Sequence, residues 1–152
     1  MNKIDVRLVA ESDSLSIFEW RNDDLTRKMF RTSNRVSWDE HSNWLTSTLS
    51  NPNRCLLMCE SEKGEPIAVV RFDIEDNYAN LSINISPLKR GKGYASKCLS
   101  LAVNYFEFHF PLVSELVAEI KTINLPSKKS FERVGFILKE ERDGYWYLLK
   151  KK

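Results

Sequence analysis

Apolar residues recur along this chain at two different spacings, which predict strands and helices in one domain. Ile4, Val6 and Leu8 alternate with polar residues, as in a strand with one buried face. Between Ala95 and Phe106 the apolar positions recur every three or four residues, as in an amphipathic helix. Such patterns predict strands at 3–9, 54–60, 66–75, 78–85, 112–120, 137–142 and 145–150, and helices at 11–23, from Ser37 to Leu49, from Gly93 up to Pro111, and at 127–134.

Capping and turn residues mark where several of these elements begin and end. The sequence SWDE at residues 37–40 is a capping box, with serine at the N-cap and glutamate three residues later. Asp143-Gly144 is typical of a two-residue hairpin turn between the last two strands. Residues 22–36 are polar, so we expect them to be irregular. The order β-α-α-β-β-β-α-β-α-β-β predicts an α/β fold, a mixed sheet with helices on its faces.

Length and charge narrow the class of protein. A chain of 152 residues fits a single domain, 1–152, with one core. A net charge of +2 argues against a nucleic-acid partner, because proteins that bind nucleic acid are usually basic overall. No apolar run approaches the roughly 20 residues that a membrane span needs, and residues 1–14 lack the core of a signal peptide. We therefore expect a cytoplasmic protein with no membrane partner, either a monomer or a homodimer.

The three cysteines do not predict a disulfide or a metal site. Cys55 and Cys59 lie four residues apart in one predicted strand, which separates them by about 13 Å. A disulfide requires Cα atoms within about 7 Å, so these two residues cannot form one. Cys98 lies on the apolar face of the predicted helix that follows Gly93, and no CxxC motif is present. We expect three buried, reduced cysteines and no bound metal.

Two of the five glycines, Gly91 and Gly93, lie between basic residues at the start of a predicted helix. The first turn of a helix has free N–H groups and a partial positive charge, and glycine lets an anion approach them. The loop lacks the spacing of a Walker A motif and the third glycine of a dinucleotide-binding motif. The loop itself indicates either a phosphate site or a tight turn with a solvated basic flank.

Two motifs resemble those of the GNAT N-acetyltransferase superfamily. Arg90-x-x-Gly93-x-Ala95 is similar to the loop with which that superfamily binds the acetyl-CoA pyrophosphate. The sequence NLPSKKSFERVGF at residues 124–136 is similar to its second signature, and the predicted element order is also the same. The resemblance implies a mostly antiparallel sheet of six to seven strands with helices on both faces. It also implies that strands four and five splay apart.

The resemblance implies acetyl-CoA as co-substrate and a position for each part of it. Backbone N–H groups of residues 91–95 would hold the pyrophosphate, and the exposed edge of strand four would pair with the pantetheine arm. Asn124 would contact the pantetheine from the other side. The cofactor-binding residues implied are Ile83, Ile85, Arg90, Gly91, Lys92, Gly93, Tyr94, Ala95 and Asn124.

The implied reaction is attack of a neutral primary amine on the acetyl thioester. Many members of the superfamily protonate the departing thiolate with a tyrosine where this chain has Phe131, which cannot donate a proton. Ser127 is the nearest substitute, although it could simply cap the helix. Many members also carry an acid near Asn80. Because asparagine cannot accept a proton, His41 is the candidate general base. Alternatively, His41 has only a structural role, or a chain of water molecules removes the proton.

The N-terminal third resembles one branch of the superfamily, the N-acetyltransferases of amino-sugar nucleotides in pseudaminic acid and related pathways. The resemblance rests on EWRNDDLTRKMF at 19–30, SWDEHSNWL at 37–45 and VVRFDI at 69–74. It implies a sugar-nucleotide acceptor. Arginines could bind its phosphates, and tryptophans, among them Trp20 and Trp38, could stack on its rings. The substrate-binding candidates are Arg21, Trp44 and Arg71.

Other interpretations remain open at this stage. The tryptophans could belong to the core and the arginines to surface ion pairs. The acceptor could be a protein N-terminus, as in the ribosomal-protein acetyltransferases, or a small-molecule amine. A catalytically silent CoA-binding module and a nucleic-acid-binding domain are alternatives of other classes.

Overall fold

The computed structural model describes residues 3–31 and 33–152, and within them it contains seven strands and five α-helices. The strands are β1 (Ile4–Leu8), β2 (Arg54–Ser61), β3 (Pro66–Glu75), β4 (Tyr78–Ile85), β5 (Glu115–Lys121), β6 (Ile137–Arg142) and β7 (Tyr145–Lys151). The helices are α1 (Ser14–Arg21), α2 (Asp24–Met29), α3 (Trp38–Leu49), α4 (Tyr94–His109) and α5 (Leu125–Arg133).

All seven strands form one sheet in the order β1-β2-β3-β4-β5-β7-β6. Every neighbouring pair is antiparallel except β4 and β5, which are parallel. These two strands pair only where residues 78–80 lie beside residues 115–117, and they separate beyond that point. The predicted mixed, mostly antiparallel sheet with a splay between strands four and five is therefore confirmed.

Each face of the sheet is covered by helices, as the sequence predicts. Along β3 the side chains alternate, so that Phe72 enters one apolar cluster and Val69 enters another. The first cluster lies against α4, where Phe72 stacks on Phe106 with ring centroids 4.1 Å apart. The second is formed with α1 and α3, which contribute Ile17 and Leu45.

Several local predictions are confirmed in detail. Ser37 is the N-cap of α3, and its hydroxyl accepts a hydrogen bond from the Glu40 N–H at 3.2 Å. Asp143 and Gly144 both have positive φ angles, 53° and 83°, as a type I′ hairpin turn requires. Cys55, Cys59 and Cys98 are buried and unpaired.

Helix α2 was not predicted, because residues 22–36 were expected to be irregular. The helix has only six residues, too few to show an apolar period, and Thr26 is its one buried side chain. It begins because the carboxylate of Asp23 accepts a hydrogen bond from the Thr26 N–H at 3.1 Å. Several boundaries also differ from prediction: α1 runs from Ser14 to Arg21 rather than over 11–23, α5 begins at Leu125 rather than Ser127, and β5 begins at Glu115 rather than Leu112.

None of the helices in the described ranges is long and apolar enough to cross a membrane. The same residues contain no group of three or more histidine, cysteine or acidic side chains that could hold a metal ion.

Candidate active site

A cavity of about 630 Å³ opens where β4 and β5 separate. Its walls come from the C-terminal half of β4, the loop before α4, the second half of β5, the start of α5 and one side of α2. Most of the residues that the sequence assigned to the cofactor and to proton donation line this space. They are Ile83, Ile85, Arg90, Gly91, Gly93, Tyr94, Ala95, Asn124 and Ser127. Lys92 is exposed and is not among the lining residues.

At two positions in the loop before α4, the backbone has a conformation that only glycine adopts easily. Gly91 and Gly93 have φ angles of 71° and 79°, both in the left-handed region. Gly93 is the N-cap of α4, and no side chain in the described part of the chain caps this 16-residue helix. The first N–H groups of α4 therefore remain free at the cavity, and the helix dipole adds positive potential there. Such an end suits a phosphate group.

The side chain of Arg90, a residue of the predicted cofactor loop, is bound to other residues of the protein. Its guanidinium Nη2 contacts the Asp23 carboxylate and donates a hydrogen bond to Thr26 Oγ1 at 2.7 Å. Burial opposes ionisation of Asp23, but the hydrogen bonds from Arg90 and the Thr26 N–H hold its pKa below the usual value. The neighbouring Lys89 ammonium forms a salt bridge with Glu65. Two of the three cations of this loop are therefore already paired.

Asn124 and Ser127 meet at the start of α5. Asn124 is the N-cap, and its side-chain oxygen accepts a hydrogen bond from the Ser127 N–H at 3.3 Å. Ser127 is therefore not the cap of this helix. Its hydroxyl makes no hydrogen bond to any described residue. The Ser130 hydroxyl, by contrast, donates to the Pro126 carbonyl oxygen at 3.0 Å. Ser127 is therefore a hydroxyl at the cavity with its hydrogen still free to be donated.

Glu119 is a functional candidate that the sequence analysis missed. It is the one carboxylate among the described residues that line the cavity. It lies on β5 beyond Val117, where that strand has left β4, and between the buried Ala118 and Ile120. Its Oε1 accepts a hydrogen bond from Arg31 Nε at 2.7 Å. The signal available in the sequence was an acid between apolar residues in the second half of a predicted strand.

His41 lies in the interior, away from the cavity. It is 0% exposed, with Nδ1 3.1 Å from Arg21 Nη1 and Nε2 3.0 Å from the Ser14 carbonyl oxygen. Since arginine can only donate, Nδ1 is the acceptor and Nε2 carries the hydrogen. Burial, and then the charge of Arg21, lower the pKa of His41. This geometry does not support the general-base role predicted for His41, because both ring nitrogens are occupied and the residue is not part of the cavity lining.

Arg21, Trp44 and Arg71 lie together but outside the cavity lining. The guanidinium carbon of Arg21 lies 4.5 Å from the centroid of the Trp44 ring, and that of Arg71 lies 5.5 Å from it. Arg71 is held by Asp73 through contacts of 3.1 and 2.9 Å. Arg21 forms no salt bridge with any described carboxylate; burial, followed by the charge of Arg71, lowers its pKa, and the charge of Glu40 partly opposes this shift. Of the two arginines, Arg21 is the one that has no described carboxylate within salt-bridge distance.

The register of the sheet connects this arginine cluster to the cavity. Arg71 on β3 is the partner of Ser82 on β4, and Ser82 lines the cavity. Directly opposed residues of an antiparallel pair have side chains on the same face, about 5 Å apart.

The other two tryptophans that were predicted to stack on the substrate differ in exposure: Trp20 lies in the core and is 7% exposed, whereas Trp38 is 45% exposed. Trp20 therefore offers no surface for stacking.

Residues 3–137 match the family model for the acetyltransferase (GNAT) domain. The chain therefore belongs to the GNAT acetyltransferase family. It is an acetyl-CoA-dependent N-acetyltransferase, with acetyl-CoA as co-substrate. No sequence among the curated proteins matches this chain.

Solved structures support the same fold. A domain from Methanocaldococcus jannaschii is 23% identical, with 100% of both chains covered and a TM-score of 0.85. The spermidine N-acetyltransferase of Vibrio cholerae, in complex with CoA and spermine, is 17% identical over 97% of this chain and 95% of the other, with a TM-score of 0.86. An aminoglycoside acetyltransferase in complex with coenzyme A is 19% identical over 99% and 95%, with a TM-score of 0.82.

Proposed function

We propose that this enzyme acetylates the primary amine of a nucleotide-linked amino sugar. The observation that carries the proposal is the half-buried guanidinium of Arg21, which forms no salt bridge with a described carboxylate and shares the Trp44 ring with Arg71, the strand partner of the cavity residue Ser82. A buried cation without a carboxylate is costly, and an anionic ligand would compensate it. The diphosphate of a sugar nucleotide is such an anion, and guanidinium groups bind phosphate oxygens well.

The cofactor would enter along the free edge of β4. Its pyrophosphate would bind at the N–H groups of residues 91–95, where both glycines open the backbone. The pantetheine arm would follow Ile83 and Ile85, with Asn124 on the opposite wall. The spermidine and aminoglycoside acetyltransferases of the same fold are described with CoA, which is consistent with this use of the cavity.

Glu119 and Ser127 supply the two proton transfers that the reaction needs. The amine nitrogen attacks the thioester carbon, the C–S bond breaks, and an amide and a thiolate form. Glu119 would take the proton from the amine and release it to water, and the free hydroxyl of Ser127 would donate a proton to the thiolate and regain one from water. Backbone N–H groups on the unpaired edge of β4 would stabilise the oxyanion that develops on the carbonyl.

The side of the cavity that remains for the acceptor is poor in acids. Its wall from α2 and the following residue consists of Leu25, Thr26, Met29 and Phe30, and Glu119 is the one carboxylate of the described lining. An acceptor with several amino groups would need several acids to compensate its charge. This composition supports an acceptor that carries one amine, and it disfavours a polyamine.

A thiol-release assay with acetyl-CoA tests the proposal. The panel comprises a UDP-linked 4-amino sugar, a peptide with a free N-terminus, and spermidine. We expect the highest kcat/KM with the amino sugar. We also expect Arg21→Gln to raise the KM for that sugar about tenfold or more while barely changing the KM for acetyl-CoA.

Arg71→Gln is the matched control. It removes a guanidinium that also lies beside Trp44 but that the Asp73 carboxylate already neutralises. Its effect on the KM of the sugar should be clearly smaller than that of the Arg21 substitution. A higher kcat/KM with the peptide or with spermidine would show that the acceptor is wrong. In that case the acetyl-CoA site and the transfer reaction would stand.

A further inference from the structure

The side chain of Arg90 joins two parts of the molecule that lie 67 residues apart in sequence. It projects from the cofactor loop to the beginning of α2, where it contacts the Asp23 carboxylate and the Thr26 hydroxyl. The contact is partly buried, with both charged side chains less than one third exposed. Within the described residues this is the one salt bridge of the cofactor loop that reaches α2.

The residues at the other end of this contact fix the position of α2. Asp23 is the N-cap of the helix, and its carboxylate accepts hydrogen bonds from the Thr26 N–H and hydroxyl at 3.1 and 3.3 Å. The Thr26 hydroxyl also lies 3.4 Å from the Asn84 side-chain oxygen on β4. The Arg90 guanidinium therefore binds both Asp23, which caps the helix, and Thr26, which lies against β4.

Helix α2 depends on such contacts because it is short. An isolated helix of six residues is unstable in water, and only Thr26 of α2 is buried. At the same time α2 contributes Leu25, Thr26 and Met29 to the wall of the cavity. The wall on the acceptor side is thus held by polar contacts, one of which originates in the cofactor loop.

We propose that Arg90 is a positioning residue that couples the two halves of the active site, and that its guanidinium is not a ligand of the pyrophosphate. Binding of CoA orders the backbone of residues 91–95, and the Arg90 contact transmits that order to α2. The acceptor wall is then fully formed only when the cofactor is bound.

The alternative is that Arg90 leaves Asp23 and binds a phosphate directly. That movement would leave the Asp23 carboxylate, which is mostly buried, without its cation. It would also remove a donor from the start of α2 at the moment when the acceptor must bind. The free N–H groups of the α4 N-terminus already offer the phosphate its hydrogen bonds.

Hydrogen exchange with CoA distinguishes these two roles. The protection of the peptide that contains α2 is measured with and without saturating CoA, and the Kd of CoA is measured by calorimetry. In the unmodified enzyme we expect CoA to slow exchange in α2 about tenfold. In Arg90→Gln we expect the Kd to change less than about threefold, while the CoA-dependent protection of α2 falls below about twofold.

Asp23→Asn is the second variant, since asparagine still caps a helix but removes the ion pair. It should also lose the protection of α2, without tightening the binding of CoA. Lys89→Gln is the matched control, because it breaks an ion pair on the same loop that leads to Glu65 rather than to α2. This control should keep the protection.

Two results would overturn the proposal. One is a tenfold or larger rise in the Kd of CoA for Arg90→Gln together with tighter binding for Asp23→Asn, which would identify Arg90 as a phosphate ligand. The other is undiminished protection of α2 in both variants. A thermal melt of each variant shows whether it is folded, and the Arg90→Lys variant should restore part of the protection.

Discussion

Asn80 of β4 and Val117 of β5 are the last residues at which these two parallel strands pair, although β4 continues to Ile85 and β5 to Lys121. The separation leaves one edge of β4 without a strand partner. It also leaves Glu119, on the departing part of β5, beside the cavity rather than beside β4. The site is therefore built on a sheet edge that a ligand can complete, with a carboxylate on the opposite wall.

The backbone of the cofactor loop gives the first prediction. Gly93 has a φ of 79° at the N-cap of α4, and valine is strongly disfavoured in that region. We expect Gly93→Val to weaken CoA binding at least tenfold, which corresponds to about 1.4 kcal/mol. Calorimetry on the folded variant measures this change.

Gly64 provides the matched control for backbone strain. Its φ is 80°, and it lies in the turn between β2 and β3, outside the cavity lining. Gly64→Val should lower the free energy of unfolding by about 1–3 kcal/mol, as strain at one residue typically does, and leave the Kd of CoA unchanged. Equal losses of CoA affinity in both variants would mean that global strain, and not the loop, causes the effect.

The hydroxyl of Ser127 gives the second prediction. Because that hydroxyl is free to donate at the cavity, Ser127→Ala should lower kcat by about 10²–10⁴-fold and leave the KM of acetyl-CoA almost unchanged. Ser130→Ala is the control, since the Ser130 hydroxyl is committed to the Pro126 carbonyl. If the Ser127 variant loses less than about threefold in kcat, another group protonates the thiolate.

Local patterns predicted most of this fold. Alternation identified β1, apolar runs and turn residues identified the other six strands, and the capping box and the Asp143-Gly144 turn identified the boundaries at α3 and between β6 and β7. These features depend on residues that are close in sequence, so spacing and residue type are sufficient. Helix α2 was missed because six residues around one buried threonine leave no periodic signal.

Contacts between distant residues could not be predicted in this way. From the sequence, Arg90 and Lys92 were both candidates to bind the cofactor. The structure pairs Arg90 with Asp23 and leaves Lys92 exposed. His41 had a suitable intrinsic pKa for a base, but burial beside Arg21 lowers its pKa and removes it from the site. Glu119 becomes a candidate only because β5 leaves β4 just before it. Each of these outcomes depends on which strand or helix lies opposite.

The carboxylate of Glu119 gives the third prediction. If it accepts the proton of the attacking amine, Glu119→Gln should lower kcat by about 10²–10⁴-fold with the best acceptor of the panel. Arg31→Gln is the matched control, because it removes the cation that binds Glu119 and keeps the carboxylate. The control should retain its kcat. An unchanged kcat in the Glu119 variant would leave proton removal to water.

The buried imidazole of His41 gives the fourth prediction, which concerns stability. Burial and the charge of Arg21 keep its pKa in the folded protein below the ordinary value of 6.5. In the unfolded chain the ring is exposed and regains that ordinary value. As the pH falls below about 6.5, the unfolded state therefore binds more protons than the folded state, and the free energy of unfolding decreases. The decrease continues until the pH passes through the folded pKa.

Urea unfolding at about pH 7.5, 6.5 and 5.5 measures this dependence, which a single group limits to roughly 1.4 kcal/mol for each pH unit. We expect the unmodified protein to lose stability over this interval and His41→Gln to lose markedly less. His109→Gln is the matched control, because it makes the same substitution at an exposed histidine. If the slope survives in the His41 variant, other groups produce it.

The kcat of a folded His41 variant should follow the same pH profile as the unmodified enzyme, since the ring does not reach the cavity.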